Sequence, residues 1–187
     1  MELLQAVNRI LGRLGESPVT SIENKNPSVT VILQAIDDES RAAQTRGWWF
    51  NTYEVTLYPD PDGRIRIPND TLDWQPKDRP SVIQGKFLVC SKTMTGDWAA
   101  LGVGSIRGVR TFHLEFSELP ESFQEWVVAR AAIRAVTNDL GMDDVVQLLM
   151  QEEHVAREKV MADHMRHKAY STTKTPMFRR MARHLWR

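Results

Sequence analysis

A few groups of residues in this chain of 187 amino acids have types and spacing that could carry chemistry. Gly102-Val103-Gly104-Ser105-Ile106-Arg107-Gly108 resembles a phosphate-cradling loop. A dinucleotide fingerprint, however, needs G-x-G-x-x-G after a strand and at the opening of a helix. Here the last spacing is one residue too long, and Val109-Arg110-Thr111-Phe112 reads as a strand, so the segment is expected to be a flexible loop before a strand. His164 and His167 could share a helix face, with His154 ten residues back. Zinc requires three or four ligands, and no cysteine or carboxylate completes a motif, so these are read as surface histidines on a charged helix. Asp37-Asp38-Glu39 and Glu152-Glu153 offer paired carboxylates. General acid–base work needs two carboxyls held across a cleft at different pKa values, whereas adjacent acids on a helix form a solvated face. The single cysteine, Cys90, lies in the apolar run Phe87-Leu88-Val89-Cys90 and is expected to pack in a core. There is no G-x-S-x-G elbow. No catalytic, cofactor or metal site is assigned, and the chain is read as a non-enzyme.

Two segments suit recognition better than reaction. Trp48-Trp49-Phe50 is the densest aromatic run. Consecutive residues cannot all face one core, so these three are expected to divide between a core junction and a subunit interface, whose centres are rich in aromatics. The other is the C-terminal segment. Phe178, Met181 and Leu185 are spaced for one helical side; Arg179, Arg180 and Arg183 surround them, and Trp186 follows. Nucleic-acid phosphates, a membrane surface and a protein groove could each receive such a pattern. The apolar members suit a hydrophobic socket, so docking on a protein partner is expected.

The elements that must hold these segments can be read from periodicity. Leu3, Leu4, Val7, Ile10, Leu11 and Leu14 mark a first helix stopped by Gly15. Asn26-Pro27 starts a second, with Asn26 as cap and proline in the first turn. Its apolar side is Val31, Ile32, Ala35, Ile36, Ala42 and Ala43, and Gly47 ends it. Helical periodicity then stops. Tyr53 to Tyr58 alternates as a strand, Pro59-Asp60-Pro61-Asp62-Gly63 is a turn, and Arg64 to Ile67 alternates again. Further strands are predicted over Phe87 to Cys90 and Val109 to Phe116. Helical signals return at Ser117, with Phe123, Trp126, Val127, Ile133 and Val136 apolar and Ala129, Ala131 and Ala132 permitting close approach. Gly141 stops this third helix and Asp143 caps a fourth. The fourth begins apolar at Val145, Val146, Leu148 and Leu149 and then turns heavily charged. Its second half is expected to project from the bundle or to pack on a neighbouring subunit.

The fold class that follows is α+β: an antiparallel bundle of about four helices over residues 1–50 and 117–169, an inserted β-rich subdomain over 51–116, and an extended basic tail over 170–187. The net charge is zero but uneven. No acid follows Asp163, whereas seven bases do, which leaves residues 1–163 with 17 bases against 24 acids, a balance of −7. An acidic body with a basic tail implies that the tail meets something the body does not. No apolar run approaches the length of a membrane span. The start MELLQAVNRI lacks a basic stretch before an apolar core, so no export leader and no membrane partner are expected.

Several segments, in order, resemble the tail tubular protein A family of short-tailed bacteriophages. They are Ala6-Val7-Asn8-Arg9-Ile10-Leu11 with Leu14-Gly15-Glu16-Ser17-Pro18-Val19, then Arg46-Gly47-Trp48-Trp49-Phe50-Asn51, Ile67-Pro68-Asn69-Asp70, and Phe116-Ser117-Glu118-Leu119-Pro120-Glu121 with Arg130-Ala131-Ala132. The stretch Gly85 to Cys90 departs from the family's pattern, and the C-terminal tail has no match in it. The resemblance implies a virion protein of the phage tail, assembled in the host cytoplasm. It implies a ring of about twelve copies, closed by head-to-tail contacts, joining the portal protein to the tail nozzle protein. Such a ring helps to retain DNA, passes it without specific binding, and supports attachment of tail fibres. Phe178, Arg179, Arg180, Met181, Arg183, Leu185 and Trp186 would then dock on the portal or on a neighbouring subunit. A virion-associated hydrolase of envelope polysaccharide and a small DNA-binding protein are the alternatives. The first would need a carboxylate pair facing one pocket, the second a steeply salt-dependent affinity for DNA.

Overall fold

The computed structural model describes residues 1–23, 26–140 and 144–168. Its elements are α1 (Leu3–Arg13), α2 (Pro27–Gln44), β1 (Thr52–Leu57), β2 (Ile65–Arg66), β3 (Thr71–Pro76), β4 (Ser81–Gln84), β5 (Phe87–Cys90), β6 (Ile106–Phe112), α3 (Glu121–Leu140) and α4 (Asp144–His167). The class is α+β: four helices and two small antiparallel sheets, ordered β1-β6-β3 and β2-β5-β4. No helix among the described residues is long and apolar enough to cross a membrane.

The helices begin and end where local chemistry dictates. Asn26 takes an extended backbone, and its side-chain oxygen accepts from the Ser28 N–H at 2.9 Å, with Pro27 in the first turn of α2. Gly15 adopts φ +75° just beyond α1. Gly141 and Asp143, the predicted stop and cap between the last two helices, lie outside the described residues. The third helix starts at Glu121, not at Ser117. Pro120 is the reason: it disfavours helical geometry in the residue before it, and Leu119 is extended after a single 3-10 turn over Phe116–Glu118.

Helix α3 is central and is surrounded by α1, α2 and α4. Its Phe123, Val127, Ala131 and Val136 are fully shielded from solvent. Against it α1 presents Ala6, Val7, Ile10 and Leu11, and α2 presents Val29, Ile32, Ala35, Ile36 and Ala43. The buried face of α2 is therefore rotated from the sequence expectation. Val31 is 50% exposed and Ala42 lies outside the core, while Val29 takes the inner place. Helix α4 runs along α3, and Val146, Leu149, Ala156 and Val160 are all buried. Its charged second half does not project. Met161 packs on the same core, and His164 and His167 meet tryptophan rings.

A second, separate core lies in the β region: Ile65, Ile67, Trp74, Leu88, Cys90, Trp98, Val103 and Ile106. Strand β6 begins at Ile106 and stops at Phe112, three residues before the expected start and four before the expected end. The Gly-rich stretch is thus only partly a loop, because Ile106, Arg107 and Gly108 pair with Leu57, Thr56 and Val55. The ladder ends because Leu114 turns its backbone N–H and C=O to the side chain of Gln44 on α2, at 2.8 and 3.0 Å. Strands β3 and β4 were not legible from alternation. Strand β3 is an edge strand with a register shift between Thr71 and Asp73, and Pro76 is tolerated at its end.

Candidate interaction surface

The turn between α2 and β1 builds the aromatic junction. Gly47 at φ +80° lets the chain reverse; a Cβ there would stand 2.9 Å from Thr52 Cγ2 and 3.1 Å from Thr111 Oγ1. Asn51 is fully buried and makes the turn rigid. Its Oδ1 accepts from the Trp48 N–H at 2.7 Å, and its Nδ2 donates to the Gln44 carbonyl at 3.1 Å and the Phe112 carbonyl at 3.0 Å. Asn51 and Gln44 therefore tie the end of α2 to the end of β6. Neither was singled out by sequence reading. The available signal was a polar side chain on each side of a glycine turn, which is also the commonest arrangement in an exposed loop.

Trp48 lies in the helical core. Its indole N–H donates to the Ala43 carbonyl at 2.8 Å, and its ring meets Phe123 at 5.3 Å, Trp126 at 5.5 Å and His164 at 5.2 Å. Trp49 and Phe50 are half-buried beside it. Phe50 packs on Phe123 at 4.9 Å, and Trp49 stacks flat on His167 at 5.2 Å and 6°. The three aromatics of the run thus take different environments. One is sealed inside, and two form the junction's outer surface with the end of α4.

His164 and His167 pack against tryptophan rings. His164 is half-buried between Trp48 and Trp49, not a plain surface residue on a charged helix. Burial lowers its pKa below the ordinary value, and the positive charges of Lys168 and Arg46 push the same way. No cluster of three or more possible metal ligands occurs among the described residues.

The carboxylate pairs are taken up by contacts between helices. Glu39 on α2 meets Arg130 of α3 at 2.6 Å, and Asp38 meets Arg134 at 2.8 Å. Glu152 on α4 accepts from Arg13 of α1 at 2.8 Å, and Glu153 accepts from the Trp126 indole at 2.6 Å. Asp38, Glu39, Glu152 and Glu153 are therefore cross-helix ties rather than a free solvated face. In the β region Arg110 is only 5% exposed. It pairs with Asp70 and donates to Thr71 Oγ1 at 2.7 Å and Tyr53 Oη at 2.6 Å. An inward-facing arginine in a strand was the signal missed in the sequence. Gly108 has a purely steric role, since a Cβ there would fall 2.4 Å from the Trp74 ring.

Part of α4 leaves apolar side chains open. Leu148 and Val155 of α4 are 52% and 57% exposed, and they line a hollow of about 440 Å³ between α1 and α4, floored by Val128, Ala129 and Ala132 of α3. Beside it, toward the end of α4, a shallower acidic cleft lies among Trp49, Glu121, Glu125, Asp163 and His167. The remaining predicted docking residues, Phe178, Arg179, Arg180, Met181, Arg183, Leu185 and Trp186, lie outside the described residues.

The family described as tail tubular protein matches residues 4–170 of this chain. A curated relative, tail tubular protein A of Klebsiella phage KP34, is 29% identical over 187 residues, spanning 98% of this chain and 97% of its own length.

Proposed function

This chain belongs to the tail tubular protein family and is a structural protein of the phage tail, and on that premise we propose that it is the head-to-tail adaptor. In this reading about twelve copies close into a ring by head-to-tail contacts between the portal and the tail nozzle. The family match over residues 4–170 carries the proposal. The subunit supports it. A helical body joined to a β part through buried side-chain ties can transmit load, and an open apolar hollow on α4 suits a protein contact. The role is mechanical: assembly, sealing and passage of DNA, with support for tail fibres and assembly in the host cytoplasm. The helical and β parts act as two units, 1–50 with 117–169 and 51–116, followed by the basic tail. The acidic balance of residues 1–163 disfavours adhesion of DNA in transit.

The tail residues from Phe178 to Trp186 dock on the portal or a neighbouring subunit in the assembled particle, and Trp49 and Phe50 lie beside a subunit contact. The test is the mass of the purified chain, alone and mixed with the portal protein of the same genome. A closed complex of about twelve copies, alone or on the portal, is expected. A monomer that ignores the portal overturns the adaptor reading.

A further inference from the structure

Two surfaces on different parts of the subunit are open and complementary. The first is the hollow of about 440 Å³ between α1 and α4, floored by Val128, Ala129 and Ala132 and flanked by Leu148 and Val155. Its rim carries Arg9, Arg13 and Lys159 against Glu125 and Glu152. Arg13 is held by Glu152, and Lys159 by Glu125. Arg9 is the cation left over, and it enters no ion pair among the described residues. The hollow therefore suits an apolar side chain with an acid beside it.

The second surface is the turn between β1 and β2. Tyr58 at its start is 70% exposed, more than any other large apolar side chain among the described residues. Asp60 and Asp62 follow it, and Asp97 stands against the turn, where a Cβ on Gly63 would fall 2.6 Å from its Oδ1. None of the three acids enters an ion pair among the described residues. The cation of the same turn, Arg64, lies over the Phe87 ring at 5.6 Å. The turn is stiff. Pro59 and Pro61 fix their φ angles. The Asp60 N–H donates to the Arg64 carbonyl at 2.7 Å, and Asp60 Oδ1 accepts from the Asp62 and Arg64 N–H groups at 3.1 and 2.8 Å. A rigid turn loses little freedom on docking.

We propose that the Tyr58 turn of one copy seats in the hollow of the next copy, with the Tyr58 ring against Leu148 and Val155 and Asp62 paired to Arg9. This contact rests on the ring reading and gives it its two faces. Closure by head-to-tail contacts requires two unlike surfaces on each subunit that match each other. The chain carries such a pair, one on its β part and one on its helical part, and Tyr58 does not line the hollow of its own chain. A hollow of this size lies in the range of about 300–1,000 Å³ that holds a small molecule, so a phenol ring fits. The hydroxyl of a buried tyrosine needs a polar partner, and Glu125 and Gln151 on the rim offer acceptors. Tyrosine is also a frequent anchor at the centre of protein contacts.

The test mixes two full-length variants, Tyr58→Cys and Val155→Cys, in equal amounts with the portal protein of the same genome. Oxidation is followed on non-reducing gels, and bonded peptides are assigned by mass; Cys90 is retained because it is buried. Bonds between position 58 of one chain and position 155 of another are expected in the mixture and in neither variant alone. In separate chains, Tyr58→Ala, Arg9→Glu and Asp62→Arg should each weaken association by at least about tenfold with unchanged melting curves. Arg9→Glu combined with Asp62→Arg should recover most of the loss. A closed complex without the 58–155 bond, or single variants that assemble like the parent chain, overturns this contact and leaves the adaptor reading standing. Bonded oligomers that ignore the portal overturn the adaptor reading and leave the contact standing. A chain that stays monomeric with and without the portal overturns both.

Discussion

The two halves of α4 are buried more alike than their compositions imply, with Val146 and Leu149 sealed in the first and Val160 in the second. The first half is rich in Val and Leu, yet it leaves Leu148 and Val155 more than half exposed. The second half is heavily charged, yet its Val160 is fully buried and its histidines close over tryptophans. Burial on a helix depends on what stands opposite each side chain. Opposite the second half stands the turn over residues 46–50, which delivers Trp48 and Trp49. Opposite the outer side of the first half there is a hollow floored by Val128, Ala129 and Ala132 and edged by Arg9, Arg13 and Lys159. There Val146 and Leu149 face the filled core, while Leu148 and Val155 on the outer side stay open.

The comparison breaks most severely at Trp48. Truncation to alanine should cost ~3–5 kcal/mol in urea unfolding and should release the second half of α4 to hydrogen exchange before the first. A loss under ~1 kcal/mol, within the range of modest substitutions, would mean that the second half is held elsewhere. Asn51→Ala comes next. It leaves the Trp48 N–H and the Gln44 and Phe112 carbonyls short of partners, and about 1–3 kcal/mol is expected. The loss should appear in both helical and β signals, because Asn51 joins the two parts.

Acid sharpens the contrast more gently. The folded state lowers the pKa of His164, so below about 6.5 the unfolded chain binds the extra proton more readily. The contribution is therefore complete above that pH and is lost as pH falls through the folded value. Stability should decline on acidification, and His164→Phe should flatten that part of the profile. An equal decline in both proteins would assign the effect to other groups. The smallest change is expected at Leu148→Ser and Val155→Ser. Each should stay within about 0.5 kcal/mol in thermal melts. A large destabilisation would show that Leu148 and Val155 are packed in the folded chain rather than open to solvent.

Sequence alone carried the class, the four helices, the Asn26-Pro27 start of α2 and most of the inner face of α1 and α3, because capping and 3.6-residue periodicity are local. The ordered segments from Ala6 to Ala132 also pointed to the family that the comparisons later showed. Local rules could not supply partners distant in the chain. Arg110 is buried because Asp70, Thr71 and Tyr53 surround it; Gln44 leaves helical solvent space to serve Leu114; Gly108 is required by the ring of Trp74. Val31 lost its place to Val29 because a helix face is chosen by the neighbour it meets, and the apolar residues of α2 permit either rotation. Periodicity and end signals are written within a few residues, so the sequence determined them; which side of α4 is sealed and which is left open is a matter of long-range packing, and only the tertiary structure decided it.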